Sequence, residues 1–218
     1  MQLISRLRLS VSARWYRLIG RVYLSAHRAS FGKNPVLLGL PIISMAPASS
    51  ITIGDRAALC SNSLFTALGV NHPVILRTLR RGAEIKIGHD AGLSGTVICA
   101  ARSVTIGDNA LIGANVTIAD TDFHALDPAG RRYNRDEQSI RCAPVSIENN
   151  VFIGTGSIVL KGVTIGENSV IGAGSVVATS IPKNSIAAGN PCRVLRHLKT
   201  DEALAWPRQA DVETGVMQ

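Results

Sequence analysis

His124 closes the run Ala119-Asp120-Thr121-Asp122-Phe123-His124. Imidazole titrates near neutrality, so such a side chain can take the proton of a hydroxyl or amine as that group attacks a carbonyl, then hand it to the leaving group. A base works better when its second ring nitrogen is held. Asp122, and less directly Asp120, are the carboxylates placed to hold it, although Asp also forms turns through its own backbone. His72, in Asn71-His72-Pro73, is a second candidate, with Asn71, for binding a substrate. Ser94, in Leu93-Ser94-Gly95, is a third polar position that could contact a substrate. It is not a hydrolase nucleophile, because the Gly-x-Ser-x-Gly elbow is missing. His89 follows Gly88 where sister segments carry Asp or Glu, and reads as a solvated corner residue. His72, His89 and His124 could hold zinc only by converging within about 2.1 Å of one point; no metal is expected. Cys60, Cys99, Cys142 and Cys192 form no CxxC pair and read as small apolar fillers in a reducing compartment. Neither Cys99 nor Cys142 has the neighbouring histidine or helix start that would activate a thiolate.

The elements that position these residues are repeats. Ile51-Thr-Ile53-Gly54-Asp55, Ile85-Lys-Ile87-Gly88-His89, Val104-Thr-Ile106-Gly107-Asp108, Val145-Ser-Ile147-Glu148-Asn149 and Val163-Thr-Ile165-Gly166-Glu167 are variants of one phrase. An aliphatic residue also recurs every sixth position, as in Ile147, Ile153, Val159, Ile165, Ile171 and Val177. Such self-similarity specifies a solenoid. Each hexad is a short strand and a turn, with its aliphatic residue pointing into a narrow core. Three hexads make a coil, and the extra residue between Ile87 and Ile106 is predicted near 94–99.

Composition agrees. The chain is 46% hydrophobic but only 4% aromatic, and holds 20 glycines. A core without aromatic bulk must be stacked from Ile, Val, Leu and Ala, with glycine serving many tight corners. The formal charge of +8 is uneven. No Asp or Glu precedes Asp55, while Arg6, Arg8, Arg14, Arg17, Arg21, Arg28 and Lys33 supply seven of the eight excess charges. The repeat body is almost neutral, which argues against nucleic acid as a partner. No apolar run reaches the roughly 18 residues of a membrane span and no signal peptide is evident, so a cytoplasmic location is expected.

The chain divides into a basic amphipathic segment at 1–35, a repeat domain at 36–197 and a tail at 198–218. Leu3, Leu7, Val11, Trp15, Leu18 and Val22 recur at helical spacing, which predicts a helix over 2–29. It could cap the open end of the solenoid, or lie on an anionic membrane through residues 1–30. The stretch Asn71 to Arg81 reads as a break in the repeat. A second break at 119–144 adds a long loop, and long loops inside compact domains are usually functional.

The hexads, the DTDFHALDP segment and the ending Gly189-Asn190-Pro191-Cys192-Arg193 together resemble the hexapeptide-repeat acyltransferases. Within these, the chain resembles the maltose/galactoside and nodulation-type O-acetyltransferases and similar enzymes of surface polysaccharide synthesis. The resemblance covers about 36–197. It implies an all-β solenoid, a left-handed parallel β-helix, an exception to the usual right-handed crossover. It implies a homotrimer with sites between neighbouring subunits, acetyl-CoA as donor and a carbohydrate acceptor. It makes His124 the general base and brings His72 toward a neighbour's His124. Thr155 and Ala173 match positions lining the donor groove, and Arg193 and Arg196 match basic residues near the nucleotide phosphates, to which a planar guanidinium is suited. Ala178-Thr179 departs from the Thr-Lys pair common in the sugar acetyltransferases, which puts one phosphate contact in doubt. Transfer to a sugar hydroxyl is the leading expectation. Transfer to an amino sugar or antibiotic amine, a zinc-dependent carbon dioxide hydration site and a non-catalytic scaffold are the alternatives.

Overall fold

The structure is a computed structural model that describes residues 15–16, 19–134 and 136–199. Its coils follow the hexads. Coil 1 is β1 (Ser30–Phe31), β2 (Val36–Leu38) and β3 (Ile42–Ser44). Coil 2 is β4 (Ser50–Ile53), β5 (Ala58–Cys60) and β6 (Ile75–Thr78). Coil 3 is β7 (Glu84–Ile87), β8 (Gly92–Ser94) and β9 (Val97–Ala100), and coil 4 is β10 (Ser103–Ile106), β11 (Leu111–Ile112) and β12 (Thr117–Ala119). Coil 5 is β13 (Val145–Ile147), β14 (Phe152–Ile153) and β15 (Ile158–Val159); coil 6 is β16 (Thr164–Ile165), β17 (Val170–Ile171) and β18 (Val176–Val177). A hairpin, β19 (Ser185–Gly189) and β20 (Cys192–His197), closes the far end.

Strands of like position stack in parallel into three faces: β1-β4-β7-β10-β13-β16, β2-β5-β8-β11-β14-β17-β19-β20 and β3-β6-β9-β12-β15-β18. This is the left-handed parallel β-helix that the resemblance to the hexapeptide-repeat acyltransferases implies. The register stacks identical repeat positions. Ile53, Ile87, Ile106, Ile147 and Ile165 form one inward row. Leu93, Ile112, Ile153 and Ile171 form a second, and Leu76, Ile98, Ile118, Val159 and Val177 a third. All are buried. Each such side chain gains about 1.5–3 kcal/mol from leaving water.

The corner between the first and second faces is a ladder of backbone caps. Asp55 Oδ1 accepts from Lys33 N at 2.6 Å, His89 Nδ1 from Asp55 N at 3.0 Å, Asp108 Oδ1 from His89 N at 2.7 Å and Asn149 Oδ1 from Asp108 N at 2.9 Å. His89 is thus one rung of a structural ladder. The preceding glycines are required by close approach: a Cβ on Gly88 would lie 2.5 Å from the Gly107 carbonyl carbon.

Three expectations are corrected. The first break is 61–73, not 71–81, because Ile75–Thr78 is a solenoid strand whose Leu76 and Thr78 point inward while Arg77 points out. The solenoid begins at Ser30, not at residue 36. The path from Leu93 to Ile98 is one residue shorter than its neighbour from Ile112 to Ile118, so the added length falls after Ala100 instead of near 94–99. There the turn at 101–102 is held by the Asp120 carboxylate.

Residues 15–16 and 19–26 are helical, and the rest of the expected 2–29 helix lies outside the described residues. The described part packs on coil 1. Leu24 is fully buried, and Gly20 sits on Leu37. Tyr23 Oη donates to the Pro41 carbonyl at 2.6 Å, and Tyr16 meets Phe65 edge-on. This segment covers the open end of the core. Residues 200–218, most of the expected tail, also lie outside the described residues.

Ile106 sits in the middle of the first inward row. Ile106→Ala should lower stability by about 2–5 kcal/mol, seen as a reduced midpoint in thermal or urea unfolding; an unchanged midpoint would refute the stacked-row account.

Candidate active site

The long loop leaves after Ala119 and returns at Val145, and its neck is rigid. Thr121 and Cys142 form an antiparallel bridge. Asp122 N donates to the Arg141 carbonyl at 3.0 Å, and Ala143 N to the Asp120 carbonyl at 2.9 Å. Arg80, two coils away, clamps the returning strand. Its Nη2 donates to the Glu137 carbonyl at 2.5 Å and to the Ile140 carbonyl at 3.2 Å, and its Nη1 reaches Cys142 Sγ at 3.4 Å.

Asp120 is fully buried and faces inward, away from any ring-orienting role. Its two carboxyl oxygens accept from Ala101 N and Arg102 N, each at 2.6 Å. Burial pushes its carboxyl above the ordinary range despite these hydrogen bonds. Asp122 departs from its expected partner as well. Its Oδ1 accepts from Lys161 Nζ at 2.6 Å, and its Oδ2 is buried with no partner among the described residues. Lys161 is close enough to compete for the carboxylate because it occupies the same corner one coil below. In a single chain, then, Asp122 is tied to the solenoid, and no hydrogen bond joins it to the His124 ring among the described residues.

A tight turn presents His124. Its N donates to the Asp122 carbonyl at 2.7 Å across Phe123, whose φ is +60°. A bulky residue in this left-handed region is strained, and strain of this kind gathers at functional sites. Thr121 Oγ1 accepts from Phe123 N at 3.2 Å and helps hold the turn. His124 is exposed and lines an open cleft of about 550 Å³ with Pro128, Gly130, Arg131, Arg132 and Tyr133.

The other candidates lie elsewhere on the prism. The 61–73 excursion runs along the corner between the second and third faces. Asn71 N donates to Asn115 Oδ1 at 2.8 Å, and Asn115 N to the Ser94 carbonyl at 3.0 Å, so Asn71 and Ser94 share one patch. His72 Nδ1 lies 3.0 Å from the Pro73 carbonyl. A carbonyl only accepts, so Nδ1 carries a proton and a neutral His72 would present its Nε2 lone pair. Thr155 and Ala173 continue along the same corner, with Thr155 Oγ1 donating to the Ala114 carbonyl at 2.7 Å. His124, by contrast, stands at the corner between the third and first faces. His72, His89 and His124 therefore occupy three different corners of one chain, which a shared zinc ion could not join within that chain.

Arg193 and Arg196 are brought together by an irregularity the sequence does not announce. Arg193 pairs with Ala188, Val194 with Ala187 and Arg196 with Ile186, leaving Leu195 as the bulged residue. A bulge shifts the alternation by one, so both arginines share the side of Ile186 and Ala188. Arg80, Lys161, Arg132 and Tyr133 were not singled out by sequence reasoning. Arg80 and Lys161 lie 44 and 37 residues from His124 in the numbering of the chain, and only the coil stacking makes them neighbours of the loop.

Comparison with known proteins agrees with the repeats. Residues 144–179 match the family described as bacterial transferase hexapeptide (six repeats), and residues 103–119 match the hexapeptide repeat of succinyl-transferase. The chain is 41% identical over 140 residues to galactoside O-acetyltransferase of Escherichia coli K12, covering 62% of this chain and 64% of that protein. It is 44% identical over 103 residues to galactoside O-acetyltransferase of Lactococcus lactis, covering 45% of each. The matched stretch thus spans less than two thirds of either relative. The solved structure of AntD, an N-acyltransferase from Bacillus cereus in complex with dTDP-4-amino-4,6-dideoxyglucose and coenzyme A, aligns with a TM-score of 0.64 at 21% identity, over 84% of this chain and 91% of that one. That likeness is one of fold. The chain carries the hexapeptide repeats of the bacterial transferases.

Arg80→Ala removes the clamp on the loop's returning strand. Charge-assisted hydrogen bonds of this kind are worth about 1.5–3 kcal/mol, so amide hydrogen exchange across 121–142 should quicken about tenfold or more while coils 5 and 6 keep their protection. Equal protection in the variant would show that the clamp does not hold the loop.

Proposed function

We propose that this hexapeptide-repeat chain is an acetyl-CoA-dependent O-acetyltransferase that acetylates a sugar hydroxyl, with His124 as general base. The observation that carries the reading is His124 itself: a solvent-facing imidazole on a strained turn, beside an open cleft, at the rigid neck of the loop that interrupts the repeats. In this reading Nε2 of His124 takes the acceptor proton as the hydroxyl oxygen attacks the thioester carbonyl. The carbon–sulfur bond then breaks, the imidazolium protonates the departing thiolate, and the products are an acetyl ester and free CoA. The similarity to the galactoside O-acetyltransferases supports both the reaction and the sugar acceptor.

Assembly as a homotrimer, with sites between copies, follows from the same reading. The outward row of the second face is apolar: Val36, Ala58, Gly92, Leu111, Phe152, Val170 and Ile186 stack in register. Leu111 is 55% and Phe152 45% exposed in the single chain. The third face carries Ile42, Ile75, Val97, Thr117, Ile158 and Val176. The first face instead shows Thr52, Lys86, Thr105, Ser146 and Thr164. Two apolar faces on one prism suit contact with two further copies. Such packing would let the His72 corner of one copy meet the His124 corner of the next, supplying the partner that the His124 ring lacks among the described residues of one chain. Asn71, Ser94 and His72 would then bind the acceptor.

The second face also suits the donor. The pantetheine arm could lie along the edge of this face marked by Thr155 and Ala173, in the groove between two copies. Arg193 and Arg196, aligned by the bulge, would take the nucleotide phosphates. The preferred acceptor is a surface polysaccharide or its lipid-linked precursor. The seven basic residues before Asp55 would favour an anionic membrane surface, where such precursors gather. Among the described residues no helix is long and apolar enough to cross a membrane.

The test is CoA release from acetyl-CoA with sugar and amino-sugar acceptors. His124→Ala should keep CoA binding by calorimetry while kcat falls about 10²–10⁴-fold. Unchanged turnover would remove His124 from the mechanism, and failure to bind CoA would remove the acyl-transfer reading.

A further inference from the structure

The cleft beside His124 has a charge character that the reaction does not demand. Its lining contains two arginines, Arg131 and Arg132, and neither Asp nor Glu. The loop is not short of acids: five lie between 119 and 144. None of them lines the cleft, and each has a partner of its own. Asp120 holds the 101–102 turn and Asp122 pairs with Lys161. Asp127 Oδ1 accepts from Ala129 N, Asp136 Oδ1 from Gln138 N, and Glu137 lies 3.7 Å from Arg80.

The two arginines play different parts. Arg131 builds the wall, its Nη2 donating to the Leu126 carbonyl at 2.6 Å and its Nε to the Asp127 carbonyl at 3.3 Å. Arg132 has no ion pair among the described residues, and its guanidinium lies 6.0 Å from the centre of the Tyr133 ring. Gly130, at φ +64°, opens the tight turn Arg131–Tyr133 that carries both side chains. Tyr133 is 81% exposed, a flat amphipathic ring open to solvent. A guanidinium with its fork unspent, beside an exposed aromatic ring and a base, suits a ring-shaped ligand that bears negative charge.

We infer that this cleft selects an anionic acceptor sugar, its carboxylate or phosphate held by Arg132 and its ring laid against Tyr133, with the reacting hydroxyl at His124. The inference rests on the acetyl-transfer reading and names the acceptor class for that site. Arg132 acts in binding and takes no part in the proton transfer.

The test uses the full chain, acetyl-CoA and matched acceptors: hexuronate oligosaccharides, the same oligosaccharides with carboxyls reduced to alcohols, and a hexose with and without a 1-phosphate. The acidic member of at least one pair should be preferred about tenfold or more in kcat/KM, the usual worth of one charge-assisted contact. Preference in the uronate arm identifies a carboxylate, and preference in the phosphate arm a phosphate. Arg132→Ala should raise KM for the acidic member about tenfold and leave kcat and the neutral member unchanged. Arg132→Lys should restore part of the loss. A disordered loop would instead lower kcat for both members, so that result overturns the assignment. Equal use of acidic and neutral acceptors also overturns it while leaving acetyl transfer intact. So does bound donor with no transfer to any acidic acceptor. Loss of CoA binding by the unaltered chain is the distinct outcome that removes the acetyl-transfer reading itself.

Discussion

Stacking of one aliphatic side chain on the next inside a three-sided prism is the constraint on which the rest depends. Ile87, Ile106, Ile147 and Ile165 sit in consecutive coils at one register position. Because parallel strands bond each coil to the next, this stacking fixes every corner as well as every face. Insertions can leave the prism only at corners, and the two large ones leave at different corners. The 61–73 excursion and the 119–144 loop owe their relative placement to this and to nothing in their own sequences. Their local chemistry is secondary to it.

Around the loop the prism supplies anchors from coils before and after it. Asp120 reaches to the turn after Ala100, Arg80 comes from coil 2, and Lys161 comes from coil 5. The neck is thereby held on both sides, while the tip with Arg132 and Tyr133 stays open to solvent. Hydrogen-bonded support beneath an open cleft is the arrangement the proposed general base would need, since its reach to the proton is short and tolerates little drift.

Much of the fold was legible because the hexad is a direct image of the geometry: one inward residue per strand, one corner per turn. The 119–144 loop was legible because the rhythm stops there. The earlier break was misplaced because Ile75-Leu-Arg-Thr78 carries an arginine; alternation sends Arg77 outward and the strand survives. The length change after Ala100 was misplaced because a one-residue deficit and its compensation lie close together, and spacing alone reads only their sum. The candidate site was legible as single residues and not as partnerships. Asp122 was expected to orient His124, but Lys161 takes one of its oxygens across the coil boundary, a neighbour no local pattern reveals. The shared side of Arg193 and Arg196 depends on a bulge at Leu195 that strict alternation would deny.

The proposed acetyl-transfer site is composite, joining the His124 corner of one copy to the His72 corner of another. The most direct measurement mixes two variants, His72→Ala and His124→Ala, dissociated and reassembled together. Each alone should be impaired. If the site spans copies, random reassembly of a closed ring places an intact His72 beside an intact His124 at roughly a quarter of the interfaces, and activity should recover to about that fraction. A mixture no more active than its parts, or a His72→Ala chain as active as the unaltered one, would contradict the account.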